Sequence, residues 1–213
     1  MLTQLFGIPA YKTNISPLLY NKTEILSAIE KNFNLDPLRN YWDNKENYKS
    51  NLHHMSQDFN NEGFISVPVD QLYPIYEQEI TKFLKQLGMK AGFSYEQEIC
   101  NYTCMKQGQY MKEHIHTSDF VGVHYIKFNR SIHKPTVFSN DNGYALYLSS
   151  LIPNIRSRLD PSVVDNSWLS KYFNLETAED DFVITPGIIN HLVPPFDHSD
   201  ELRMTIVVNI KIL

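Results

Sequence analysis

Glycine is scarce in this chain, at 8 of 213 residues. Neither GxxxxGK(S/T) nor GxGxxG occurs, which excludes the common backbone cradles for nucleotide phosphates. HExxH and GxSxG are also absent, so the zinc-protease helix and the hydrolase nucleophile elbow fall away. Cysteine is rarer still. Cys100 and Cys104 lie four apart, which on a strand puts them on one face but too far apart for an easy disulfide. They read as reduced, half-buried thiols. Positive charge is in deficit: 19 basic residues face 24 acidic ones, a formal charge of −5, and no nucleic-acid footprint results. No stretch approaches the roughly 20 apolar residues of a membrane span. The opening MLTQLFGIPAYKTN lacks a basic segment followed by an apolar one, so no signal peptide is expected. These absences predict a cytoplasmic protein in a reducing compartment, with no nucleic-acid or membrane partner. The sequons at Asn14, Asn21, Asn101 and Asn129 then carry no sugar. At 42% hydrophobic and 20% charged residues, the chain can build a packed core.

The first part reads as helical. Asn21 and Glu24 form a capping box ahead of Ile25, Leu26, Ile29 and Phe33 on one face. Residues 34–66 show no sustained period and read as a polar arm. A second helix is predicted from Asp70 to Leu87, stopped by Gly88, with Pro74 tolerated in its first turn. Its apolar face is Leu72, Ile75, Tyr76, Ile80, Phe83, Leu84 and Leu87. Short strands follow, at 93–105, 119–128, 135–139, 181–185, 189–193 and 202–212, with Thr185-Pro186-Gly187 as a turn and 140–180 as a long connection. Helices first and strands after predict an α+β class, with helices on an antiparallel sandwich or barrel.

Histidines cluster unevenly. His114 and His116 form an H-x-H pair, and on extended chain both imidazoles point to one side, where they can meet one ion. His191, just after the Pro186-Gly187 turn, could close such a site from a distant strand and leave positions open for substrate. Arg203 and Thr205 share a strand face, and a guanidinium beside a hydroxyl suits a carboxylate. Arginine in a strand that continues Met204, Ile206, Val207, Val208 needs a paired charge, either a ligand or a salt bridge at the strand's edge.

Gly108-Gln-Tyr-Met-Lys-Glu-His114-Ile-His116 resembles the G-x-x-x-x-x-H-x-D segment of prolyl-4-hydroxylase-like 2-oxoglutarate/Fe(II) oxygenases. Asp181 to Pro195, with His191, and then Leu202-Arg203-Met-Thr205, look like that family's distal His followed by Arg-x-Ser/Thr. Val121-Gly-Val-His-Tyr125 is similar to a strand of the phage and marine-bacterial members. The resemblance covers roughly residues 92–213. It implies a double-stranded β-helix (jelly roll) over 92–213, with helices and polar arm of 1–91 packed on it. It further implies Fe(II) held by His114, His116 and His191, 2-oxoglutarate held by Arg203 and Thr205, dioxygen as co-reactant, and ascorbate as an accessory reductant. The expected activity is hydroxylation of a protein side chain or a small molecule.

Two positions depart from the family pattern. His116 stands where a carboxylate is usual, so the triad is neutral, unless Asp119 or Glu113 swings in. Met105 stands where a tyrosine often faces the cosubstrate, leaving Tyr102, Tyr110 or Tyr125 to supply the hydroxyl. The alternatives are a phage structural or assembly protein on the same jelly roll, intact or degenerate, with virion partners or self-association, and a cupin-like three-His dioxygenase that leaves Arg203 idle. Of the other histidines, His53, His54, His133 and His198 read as solvent-facing or capping, and His124 as lining the barrel near the metal or hydrogen-bonded in the core. The acidic run Glu176, Glu179, Asp180, Asp181 reads as a solvated loop.

Overall fold

Alternation along the last strand organises the molecule. In Arg203–Ile212, the side chains of Met204, Ile206, Val208 and Ile210 enter one apolar cluster, while Arg203, Thr205 and Val207 face a cavity on the other side. The computed structural model describes residues 2–5, 8–39, 52–56, 63–139 and 172–213. Their strands are β1 (Leu2–Leu5), β2 (Ile8–Asn14), β3 (His53–Ser56), β4 (Tyr95–Met105), β5 (Met111–His114), β6 (Phe120–Lys127), β7 (Val137–Ser139), β8 (Tyr172–Asn174), β9 (Asp181–Pro186), β10 (His191–Val193) and β11 (Arg203–Ile212). A seven-stranded sheet runs β1-β2-β9-β6-β11-β4-β3, and a four-stranded sheet runs β5-β10-β7-β8. Every pairing described is antiparallel. Two such sheets with helices on the outer face of the larger one make an α+β, double-stranded β-helix core, as the sequence predicts.

Helix α1 (Lys22–Leu35) starts where expected, with the Asn21 side chain accepting from the Glu24 N–H at 3.2 Å. The reciprocal half of the box differs. The Asn21 N–H goes to Gln71 Oε1 at 2.6 Å, so the cap is shared with the entry to the second helix. Helix α2 (Tyr73–Gln86) follows a single 3-10 turn at Asp70–Leu72 and ends ahead of Gly88. Ile25, Ile29, Phe33, Tyr76, Ile80, Phe83 and Leu84 bury against the large sheet. Fully burying such a side chain is worth about 1.5–3 kcal/mol. Two smaller clusters, one around Tyr125, Phe128 and Phe138, the other around Met105, Met111 and Phe196, lie between the sheets.

Several expectations are corrected. Residues 2–5 and 8–14 are not helical; they are strands, β1 paired antiparallel with β2 and β2 in turn with β9. The polar arm contains β3, hydrogen-bonded along β4; 40–51 lies outside the described residues, as does 57–62. Of the 140–180 connection, 140–171 lies outside the described residues, and β8 lies within it. The acidic run is not all solvated. Asp180 is buried, taking the Tyr20 hydroxyl at 3.1 Å and Lys22 Nζ at 2.7 Å, and Asp181 is buried against Asn14 and the Ala178 N–H. Both thiols are free, and burial pushes that of Cys100 up to about 12.

Gly122 of β6 has no room for a side chain: an added Cβ would sit 2.6 Å from the Phe182 ring and 2.7 Å from Val208 Cγ1. Phe182 is itself stacked on Tyr76 at 4.6 Å and cannot retreat freely. Gly122→Ala is therefore expected to destabilise the protein by about 1–3 kcal/mol. A denaturant midpoint shift at unchanged slope would measure this.

Candidate metal centre

The strands bring three imidazoles together. His114 ends β5, His191 opens β10, and the two are directly paired across the small sheet. His116 lies just past β5, its N–H bonded to the Gly187 carbonyl at 2.8 Å. One ligand atom from each ring lies within 4.8 Å of the others. Ring centroids are 4.2 Å apart for His114 and His191, 5.2 Å for His116 and His191, and 5.5 Å for His114 and His116.

Protonation follows from the neighbours. His114 Nδ1 faces the Lys112 carbonyl at 2.8 Å, and His191 Nδ1 faces that of Ile189 at 2.9 Å. A carbonyl only accepts, so each Nδ1 carries the proton and each Nε2 presents a lone pair. Burial, reinforced by the neighbouring rings, lowers His191 to about 3 and His116 to about 4. Both are thus neutral, as metal ligation requires. Asp119 is not with them: its carboxylate accepts the Ile212 N–H at 2.8 Å. Glu113 is exposed. Among the described residues, the metal-competent cluster is all histidine.

The triad opens on a small, partly open cavity between the sheets. Arg203 lines it, only 1% exposed. Its Nη1 meets Met105 Sδ at 3.6 Å, while Nε and Nη2 have no hydrogen-bond partner. The guanidinium carbon lies 5.3 Å from the Tyr125 ring centroid and 5.8 Å from that of Phe128. Burial lowers the Arg203 pKa, and Tyr125 counters this. No carboxylate among the described residues pairs with the guanidinium, so the salt-bridge alternative is not realised. Thr205 also lines the cavity, its hydroxyl 2.6 Å from that of Thr103. Tyr125 does not line it; its hydroxyl donates to Thr136 Oγ1 at 2.7 Å and its ring flanks Arg203. Tyr102 turns to the helix side, where its hydroxyl meets Asn32.

Other histidines depart from their sequence reading. His54 is buried and lines the cavity beside Asn101. Its neighbour His53 is buried on the opposite face, with Nδ1 at 2.6 Å from the Asp36 carbonyl. His133 is buried too, accepting the Asn129 N–H at 3.0 Å. His198 is exposed, as expected. Sequence reasoning missed His54, Asn101, Thr103 and Thr136 as lining residues. For Asn101 and Thr103 the signal was there: they alternate with Tyr102 and Cys104 on β4, so polar side chains mark one face.

His124 faces the helices rather than the metal. Its Nδ1 accepts the Tyr76 hydroxyl at 2.9 Å, and its Nε2 lies 4.0 Å from Asp180 Oδ1. Complete burial, helped by the nearby Lys22 charge, lowers its pKa to about 3. The folded state favours the neutral ring, so the stability it contributes is present above the ordinary value of about 6.5. It is lost as pH falls from there towards 3. His124→Gln is expected to flatten the fall in urea midpoint between pH 6.5 and 4 relative to the parent protein.

No protein-family model and no curated protein matches the chain. Solved structures do. A prolyl-4-hydroxylase from Pseudomonas putida is 10% identical, with a TM-score of 0.53 over 95% of this chain and 91% of that one. A prolyl hydroxylase from Trichoplax adhaerens, solved with a hypoxia inducible factor oxygen degradation domain peptide fragment, is 10% identical, with a TM-score of 0.52 over 95% and 83%. The shared property is the fold, the double-stranded β-helix seen in these two prolyl hydroxylases. Nothing in these comparisons supports the phage or marine-bacterial kinship. Among the described residues no helix is long and apolar enough to cross a membrane.

Proposed function

We propose that the protein is an Fe(II)/2-oxoglutarate-dependent dioxygenase that hydroxylates a small molecule or a protein side chain. The observation that carries this reading is Arg203, a buried guanidinium with Nε and Nη2 unpartnered, in the same cavity as three convergent imidazoles. A scaffold gains nothing from a buried unpaired cation. A cupin-like enzyme without cosubstrate gives it no ligand.

His114 and His191 would hold the iron through their Nε2 atoms, with His116 as the third ligand, leaving sites for small ligands. When bound, iron would supply dioxygen activation coupled to conversion of 2-oxoglutarate to succinate and carbon dioxide. The chain's own residues do the rest. Arg203 anchors the far carboxylate, with the Thr205 hydroxyl alongside. Tyr125 and Phe128 fix the guanidinium plane. Met111, Val193, Val123 and Val207 wall the cavity with apolar surface and exclude water.

The reading is tested anaerobically. Fe(II) and 2-oxoglutarate together are expected to produce a visible charge-transfer band, and admitting dioxygen to produce succinate. His191→Ala should lose both. A parent protein that binds neither iron nor 2-oxoglutarate would overturn the proposal.

A further inference from the structure

Arg203 has two unpartnered nitrogens, Nε and Nη2, and a two-pronged bond to a carboxylate needs them aimed as well as charged. The rings that flank the guanidinium, Tyr125 and Phe128, pack edge to face with centroids 5.2 Å apart. Both stand where β6 parts from its neighbour, since the ladder with β9 ends at the His124–Phe182 pair. Past that pair, the backbone of 125–128 is caught by the two residues that precede β9. The Asp180 N–H donates to the Tyr125 carbonyl at 2.8 Å. The Phe128 N–H donates to Glu179 Oε2 at 3.1 Å. Lys22, the first residue of α1, ties the two acids together, with Nζ 2.7 Å from Glu179 Oε1 and 2.7 Å from Asp180 Oδ1. Asp180 is buried, with a left-handed backbone (φ 65°), and its carbonyl takes the Ile15 N–H at 2.9 Å. Glu179 is exposed and does not line the cavity, yet its side chain holds the backbone of a ring that lies against Arg203.

We propose that Glu179 is a positioning residue for Arg203, acting through the Phe128 backbone, and that it sets how firmly the guanidinium holds the far carboxylate of the cosubstrate. The inference rests on the role given to Arg203 above. The sign of the effect separates positioning from charge. A carboxylate near the site repels a dicarboxylate, so if Glu179 acted by charge alone its removal would tighten binding. As the acceptor for Phe128, its removal frees that N–H and loosens the ring against the guanidinium, so binding weakens.

The experiment compares two probes by calorimetric titration of the full chain loaded with Co(II). They are 2-oxoglutarate and 2-oxobutyrate, which share the 2-oxo acid end, while the second lacks the far carboxylate. The parent protein is expected to prefer 2-oxoglutarate. Glu179→Ala should lower that preference about five-fold, entirely through weaker 2-oxoglutarate binding, with 2-oxobutyrate and metal affinity as in the parent. Glu179→Gln keeps an acceptor oxygen for the Phe128 N–H and should return the preference to within about two-fold of the parent. Glu176→Ala removes a carboxylate from the same loop, one whose Oε1 lies 4.0 Å from the exposed Arg130, and should leave the preference unchanged. An unchanged or raised preference in Glu179→Ala, an equal loss for both acids, a Glu179→Gln protein as poor as Glu179→Ala, or a similar loss in Glu176→Ala overturns the proposal. A parent protein with no preference between the two acids would instead remove the role of Arg203, and this proposal with it.

Discussion

Arg203→Met is expected to weaken 2-oxoglutarate binding by at least a hundred-fold and, in the same protein, to raise the unfolding temperature. The two effects have one cause. The guanidinium is desolvated and its Nε and Nη2 have no partner until a ligand carboxylate arrives. Losing one partner of a buried, hydrogen-bonded charge pair costs about 2–5 kcal/mol of binding. Without ligand, the same charge opposes folding, and a hydrophobic side chain of similar length is favoured in its place. Methionine suits the surroundings, which are Met105, Tyr125 and Phe128. Each kcal/mol gained should appear as about 2–4 °C for a chain of this size. Calorimetric titration of the metal-loaded protein and thermal unfolding of the metal-free protein measure the two halves. Arg203→Lys keeps the charge but not the two-pronged geometry, so its binding loss should be intermediate. Unchanged 2-oxoglutarate affinity in Arg203→Met would sink the assignment.

Gly187→Ala should cost at least ten-fold in metal affinity, although residue 187 is not a ligand. Its N–H donates to the Asp119 carbonyl at 3.0 Å and its carbonyl takes the His116 N–H at 2.8 Å. The 116–119 segment is thus strapped against it. A Cβ there would lie 2.1 Å from the Ser118 carbonyl oxygen and 3.2 Å from that of His116. These are backbone atoms that cannot swing aside, so the segment carrying His116 must move. Ser118→Ala should leave the metal in place, because the clash is with the carbonyl and not the side chain. Gly122→Ala is the second control: it loses stability in the helix-side core while keeping metal affinity. Metal titration of the three variants separates displacement of a ligand from general loosening. Parent-like affinity in Gly187→Ala would show that His116 is not held through this contact.

The parts of the fold written in local pattern were legible. The Asn21 cap, the face of α2 and the alternation of β11 each follow from neighbours a few residues apart. The triad was legible because H-x-H on extended chain and a His after a Pro-Gly turn carry their geometry with them. What escaped depends on distant partners. β2 contains Pro9 and polar residues and becomes a strand because β9 offers it an edge. β3 is four residues, two of them His53 and His54, and is buried only by lying along β4. Asp180 is buried because Tyr20 and Lys22, some 160 positions earlier, meet it. For His124, alternation put it opposite Tyr125 on β6, but local pattern does not say which face of a two-sided strand meets the helices.

Strands β2 and β3 have a practical consequence for anyone trimming the protein. β2, with β1 outside it, extends the seven-stranded sheet beyond β9, and β3 extends it beyond β4. Cutting the chain back to residues 92–213 would keep every proposed ligand and still bare two long rows of backbone donors and acceptors. Such naked margins recruit other chains, so the shortened protein should precipitate rather than bind metal as a monomer.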